Sequence, residues 1–173
     1  MANSPSPDKI MFLGVASSEP DGFPLAIGMG FPDTSQIRNI LISPPEKWKI
    51  FDPNNKDKDE IVGKFRRNEL RAKGITPEKA ADLISSLTKN RKVYSLETRH
   101  DDLMLHKLRD VFTTKITLHS ALELFNELTS FKRAMEIVAA VRLTVENYPR
   151  NPSEVKWMVP CFHRCRHGST NVA

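Results

Sequence analysis

The 173-residue chain holds two cysteines, two tryptophans, two tyrosines and seven glycines. Nowhere do about 18 apolar residues run together, so no membrane-crossing helix is expected. The N-terminus, "MANSPSPDK", lacks the basic region and apolar stretch of a secretory signal. With two cysteines, Cys161 and Cys165, and no such signal, no disulfide framework is expected, and free thiols in a reducing cytoplasm are the default. No repeat, linker or compositional shift divides the chain. Residues 1–9 read as a disordered Ser/Pro lead-in and residues 10–173 as a single domain.

What is present is ordinary soluble-protein material, with 39% hydrophobic and 27% charged residues, enough to bury a core without staples. The net charge of +5 favours an anionic partner such as nucleic acid, though only mildly.

Strand and turn signals come first. "IMFLGV" (Ile10 to Val15), "PLAIGMG" (Pro24 to Gly30) and "IRNILIS" (Ile37 to Ser43) are separated by the turn-rich "SSEPDG" and "FPDTSQ". Short turns between three strands imply an antiparallel meander. Pro44 to Glu60 reads as a polar loop anchored by Trp48, Ile50 and Phe51. A helix is expected from Thr76 as N-cap with Pro77 at its first position. Then follow a strand at Arg91 to Ser95, a helix over Asp101 to Phe112 and a strand at Lys115 to Ser120. Helices over Ala121 to Leu128 and Phe131 to Val145 complete the pattern, and the C-terminal segment is left without an element. The order predicts an α/β fold with a mixed five-stranded sheet, its three N-terminal strands antiparallel, flanked by helices.

The segments "FLGVASS" and "GFPLAIG", then "ILISPPEKWKIFDP", "EIVGKFRRNELRAKGIT", "VYSLETRHDDLMLHKL" and "HRCRHG", occur in an order that resembles the DEDDh-type 3′→5′ exonucleases. The resemblance spans nearly the whole chain and implies a ribonuclease H-like fold. It also implies a two-metal site: four carboxylates hold two divalent ions and a His serves as general base. Carried over residue by residue, the first Asp and Glu become Gly14 and Ala16, or Leu13 and Val15 if the register slips by one. The Asp of the second helix survives as Asp101 or its neighbour Asp102. The His survives as His163, and the last Asp becomes Gly168. The His of the family's Ile-His-Gly-Ile segment is Val62. One carboxylate cannot hold two dications, so the resemblance implies a degenerate, non-catalytic member. Mg²⁺ or Mn²⁺ is needed only if Glu19 and Asp21, in the first turn, rebuild the site.

The run "KFRRNELRAK" sets Lys64, Arg66, Arg67, Arg71 and Lys73 against one Glu, a candidate phosphate-binding surface or an ordinary solvated helix face. Arg91, Lys92 and Arg99 are candidates to extend it. "CFHRCRH" offers two Cys and two His, but a helix puts the Cys pair and the His pair on different faces, so no four-ligand metal site is expected. The expected partners are therefore a single-stranded nucleic acid or a protein, with no membrane. A non-catalytic binding or regulatory module leads, ahead of a working exonuclease and of a protein-interaction factor without a nucleic-acid role.

Overall fold

Two nearly continuous apolar runs, Ile10 to Val15 and Pro24 to Phe31, are buried along their length and build the centre of the sheet. In the computed structural model, which describes residues 5–52, 54, 60–108, 116–145 and 155–167, strand β1 spans Ile10–Ser17, β2 Pro24–Phe31 and β3 Gln36–Leu41. They form an antiparallel meander through Gly14↔Gly28 and Gly28↔Asn39. A hairpin, β4 (Ile61–Val62) and β5 (Phe65–Arg66), leads into α1 (Arg67–Lys73) and α2 (Pro77–Thr88). Next come β6 (Lys92–Ser95), α3 (Thr98–Lys107), β7 (Leu118–Ser120), α4 (Ala121–Leu128), α5 (Phe131–Val145) and α6 (Val155–His167). The main sheet runs β3-β2-β1-β6-β7, with β6 parallel to β1 and β7 parallel to β6. This is the mixed five-stranded sheet with helices that the element order implies.

The two faces of β1 follow its period of two. Ile10 and Phe12 join Tyr94 and the helices α4, α5 and α6 in one core. Phe12 is its hub, with ring centroids 6.0 Å from Phe125, 6.0 Å from Phe162 and 6.3 Å from Tyr94. Met11, Leu13 and Val15 face the other way, into a core with Ala80 and Ile84 of α2 and Met104 and Leu105 of α3. The sheet is thus a middle layer between two helical ones. Close approach of α6 to β2 requires Gly30, because a Cβ there would lie 2.6 Å from Val155 and 2.7 Å from Val159.

Local signals held where caps were present. Thr76 caps α2 by accepting from the Lys79 amide at 3.4 Å, and Ser120 caps α4 by accepting from Glu123 at 3.3 Å. One boundary needs correction, and one helix was not expected. The helix expected to open at Asp101 starts at Thr98, so Asp101 lies in its first turn. The expected end of that helix at Phe112, and Lys115 of the next strand, lie outside the described residues. The C-terminal segment is helical over Val155–His167 even though Pro160 sits inside it. The Ser/Pro lead-in ends in a 3-10 turn at Pro7–Lys9. Trp48, Ile50 and Phe51 do anchor the loop, with Trp48 stacked on Phe23 at 4.8 Å. Among the described residues no helix is long and apolar enough to cross a membrane.

Candidate functional site

The C-terminal half of β1 is where the sequence resemblance puts the chemistry. β1 and β6 pair only through Ile10↔Lys92, Met11↔Val93 and Phe12↔Tyr94. Beyond Phe12 no β6 partner takes up the Val15 amide, and the Asp101 carboxylate does so instead. Its Oδ1 accepts from the Val15 N–H at 3.0 Å, and its Oδ2 accepts from the Ser95 hydroxyl. Asp101 is 3% exposed and Ser95 fully buried. Burial pushes the Asp101 carboxyl up to about 6, although the Ser95 and Val15 hydrogen bonds and nearby His100 favour its charged form. The aspartate of α3 therefore ties two strands and a helix together. Ser95 is the partner that sequence reading missed, and its only signal is its place at the end of "VYS", six residues before Asp101.

The positions expected to have carried the first two carboxylates are apolar surroundings. Leu13 and Val15 belong to the α2–α3 core, Gly14 is buried in the strand, and Ala16 packs with Leu25, Ala26 and Phe65. Val62, Phe51 and Ile50 close over the same place. Gly63, at the hairpin turn, has φ +60, and a Cβ there would meet the Ser17 and Ser18 carbonyls at 3.2 and 3.3 Å. The β4–β5 hairpin is thus packed directly onto the end of β1. Glu19 and Asp21 lie exposed in the β1–β2 turn, and Asp102 is exposed on α3. Among the described residues no three or more His, Cys, Asp or Glu side chains are arranged to hold a metal ion. Gly168 lies outside the described residues.

His163 is not brought to Asp101. It projects from α6, the layer on the Ile10/Phe12 face, whereas Asp101 comes from α3 on the opposite face. Its Nε2 lies 3.4 Å from Ser35 Oγ in the β2–β3 turn. That turn follows Phe31, and Gly30 pairs with Phe12, so the turn sits beside the start of β1 and Asp101 beside its end. Burial, and then the neighbouring His167, lower the proton affinity of His163.

The basic stretch divides. Lys64 sits in the hairpin turn, Arg66 in β5, and Arg71 and Lys73 on α1, all with exposed side chains. Lys73 pairs with Glu69 at 3.4 Å, an i,i+4 contact in solvent. Arg67 turns inward instead. It pairs with Glu60 at 3.0 Å, donates to the Asp52 carbonyl at 3.4 Å and covers the Phe51 ring at 5.1 Å. Arg91 and Lys92 lie at the start of β6, opposite Ile10, and so at the far end of the sheet from the hairpin. Arg91 covers the Phe31 ring and donates to the Leu87 carbonyl. Arg99 lies in the first turn of α3.

A separate cleft of about 330 Å³ lies between the β1–β2 turn, the start of α2 and the end of α3. Phe23, Trp48, Pro77, Lys47, Glu78 and Lys107 line it together with His106. Lys107 is committed to the wall, since its ammonium donates to the Asp21 and Gly22 carbonyls and covers the Phe23 ring at 5.3 Å.

No protein-family model and no curated protein matches the chain. Among solved structures, the chain is similar to a chain of the yeast structure described as "Structure of yeast NOT1 MIF4G domain co-crystallized with CAF1", with TM-score 0.54 and 7% identity. The match covers 93% of this chain and 79% of that one. At that identity the likeness concerns the fold alone.

Proposed function

We propose that this protein is a non-catalytic relative of the DEDDh-type exonucleases that keeps a ribonuclease H-like fold as a nucleic-acid-binding or regulatory module in the cytoplasm. The strand order β3-β2-β1-β6-β7, antiparallel on one side of β1 and parallel on the other, supports the fold. The single observation that carries the loss of catalysis is the fate of Asp101. The one carboxylate retained from the expected set spends both oxygens on the Val15 amide and the Ser95 hydroxyl. Apolar packing around Ala16, and the hairpin packed onto the end of β1 at Gly63, support the same reading, because paired dications need hard oxygen ligands.

Lys64, Arg66, Arg71 and Lys73 form the exposed basic surface for a single-stranded nucleic acid, and Arg67 supports it from beneath through Glu60. A gel-shift series with single strands tests this, because each phosphate contact contributes roughly 0.7 to 0.9 to the slope of log affinity against log salt. Changing Lys64 and Arg71 to Ala flattens that slope by about one to two units. In the same preparation, Mg²⁺ or Mn²⁺ produces no 3′ shortening of labelled strands. Metal-dependent shortening that is lost in Asp101→Asn restores the active-exonuclease reading.

A second reading, a protein-interaction factor with no nucleic-acid role, draws support from the neighbour, which comes from a structure of two co-crystallised proteins. Absence of any salt-dependent binding by the wild type moves that reading to the front.

A further inference from the structure

The C-terminal half of α6 carries metal-binding chemistry that the proposed function leaves unused. In "CFHRCRH" thiols and imidazoles each recur at i,i+4, and the helix sorts them. Cys161 and Cys165 are buried in the core shared with α4 and α5, and burial raises both thiols, to about 12 and about 11. His163 is half-buried and His167 exposed on another face. The two imidazoles stand one turn apart with centroids at 6.4 Å and planes 8° from parallel.

Neutral imidazoles at i,i+4 on one helix face can offer two nitrogen lone pairs to a single ion. Two features beyond the spacing suit this pair to a cation. The pair lies at the C-terminal end of a 13-residue helix, with His167 in the last turn and His163 just before it, near the negative end of its dipole. The His163 ring is also already positioned: the Pro32 carbonyl faces it, Phe162 meets it edge-on at 5.6 Å, and Ser35 Oγ lies 3.4 Å from Nε2. Such outer contacts orient an imidazole for ligation. His167 is exposed, so a side-chain rotation brings its nitrogen toward the same point.

We infer that His163 and His167 form a two-nitrogen site for a borderline divalent transition metal of the Zn²⁺ class, with the Ser35 hydroxyl and water completing the shell. Among the described residues no third His, Cys, Asp or Glu joins the pair, so the ion is exchangeable rather than locked in. Arg164 and Arg166 in the last turn weaken the hold on any dication, and the imidazole nitrogens favour the Zn²⁺ class over Mg²⁺, which prefers oxygen. When occupied, the site pins the end of α6 to the β2–β3 turn. It is independent of the exonuclease reading.

Calorimetric titration of Zn²⁺ into the full chain tests it, with Mg²⁺ as the control and the His ring resonances followed in parallel. One Zn²⁺ per chain is expected, with shifts at both His163 and His167 and no response to Mg²⁺. Because His167 is exposed, His167→Asn keeps the fold and weakens binding at least roughly tenfold, as does His163→Asn, while Ser35→Ala weakens it less. No Zn²⁺ binding by the wild type overturns the inference. So does full binding by His167→Asn, which would place the ion on the cysteines or elsewhere.

Discussion

At the end of β1, Asp101 is 3% exposed and both of its oxygens are bonded. Beside the start of β1, His163 lies half-buried against Ser35, one ring face toward the exposed His167. Sequence resemblance assigns these two residues to one site, yet they sit on opposite faces of the sheet. The difference teaches how differently the fold holds two polar side chains. The buried carboxylate is tied by both oxygens to neighbouring strands, whereas the histidine sits at the rim with an exposed imidazole beside it.

The sharpest way to break this comparison is to remove the buried member. Asp101→Ala strands the Val15 amide and the Ser95 hydroxyl, each costing about 1–3 kcal/mol when left buried and unpaired, so a loss of roughly 2–5 kcal/mol is expected. Urea unfolding measures it, and a loss below about 1 kcal/mol would deny Asp101 its structural role.

Next comes pH. The folded value of about 6 stands above the ordinary carboxyl value of 3.8, so the folded state holds this proton more tightly than the unfolded chain. Asp101 therefore adds stability that is complete below the unfolded value and lost as pH rises through about 6. Asp101→Asn removes that dependence, and its stability relative to wild type should improve by roughly 2–3 kcal/mol between about pH 4 and about pH 7. An unchanged difference across that range would contradict the burial argument.

At the other end, Gly30→Ala drives a methyl into Val155 and Val159 and should cost about 1–3 kcal/mol by overpacking α6 against β2. His163→Asn, by contrast, should cost less than about 1 kcal/mol, because its ring is half-buried at the rim and not in the core. Thermal melts of the two variants sharpen the comparison, and a large loss in His163→Asn would make the histidine structural as well.

The fold was legible where periodicity and caps agreed. The meander follows from apolar runs separated by turn residues, and α2 from Thr76 and Pro77, whereas the Ser120 cap of α4 came only with the structure. α6 was hidden because Pro160 interrupts its middle, and in the structure the packing of Val155, Val159 and Phe162 outweighs that penalty. The β4–β5 hairpin was hidden by its length of two residues per strand and by the charge around it. The candidate site was half legible. Asp101 could be picked out, but its partnership with Ser95 and Val15 depends on where β1 and β6 part company, which no local pattern encodes. Arg67 shows the same limit: a cation in a basic run, it is held by Glu60 and Phe51 rather than offered to solvent.

The most direct test of the central claim follows the Asp101 carboxyl by NMR across pH, with and without millimolar Mg²⁺. As a strand clamp, Asp101 should titrate near 6, shift further upward when Ser95→Ala removes one donor, and ignore Mg²⁺. A titration that Mg²⁺ drives well below the ordinary carboxyl range would mean that Asp101 ligates metal, and the account of an emptied site would be wrong.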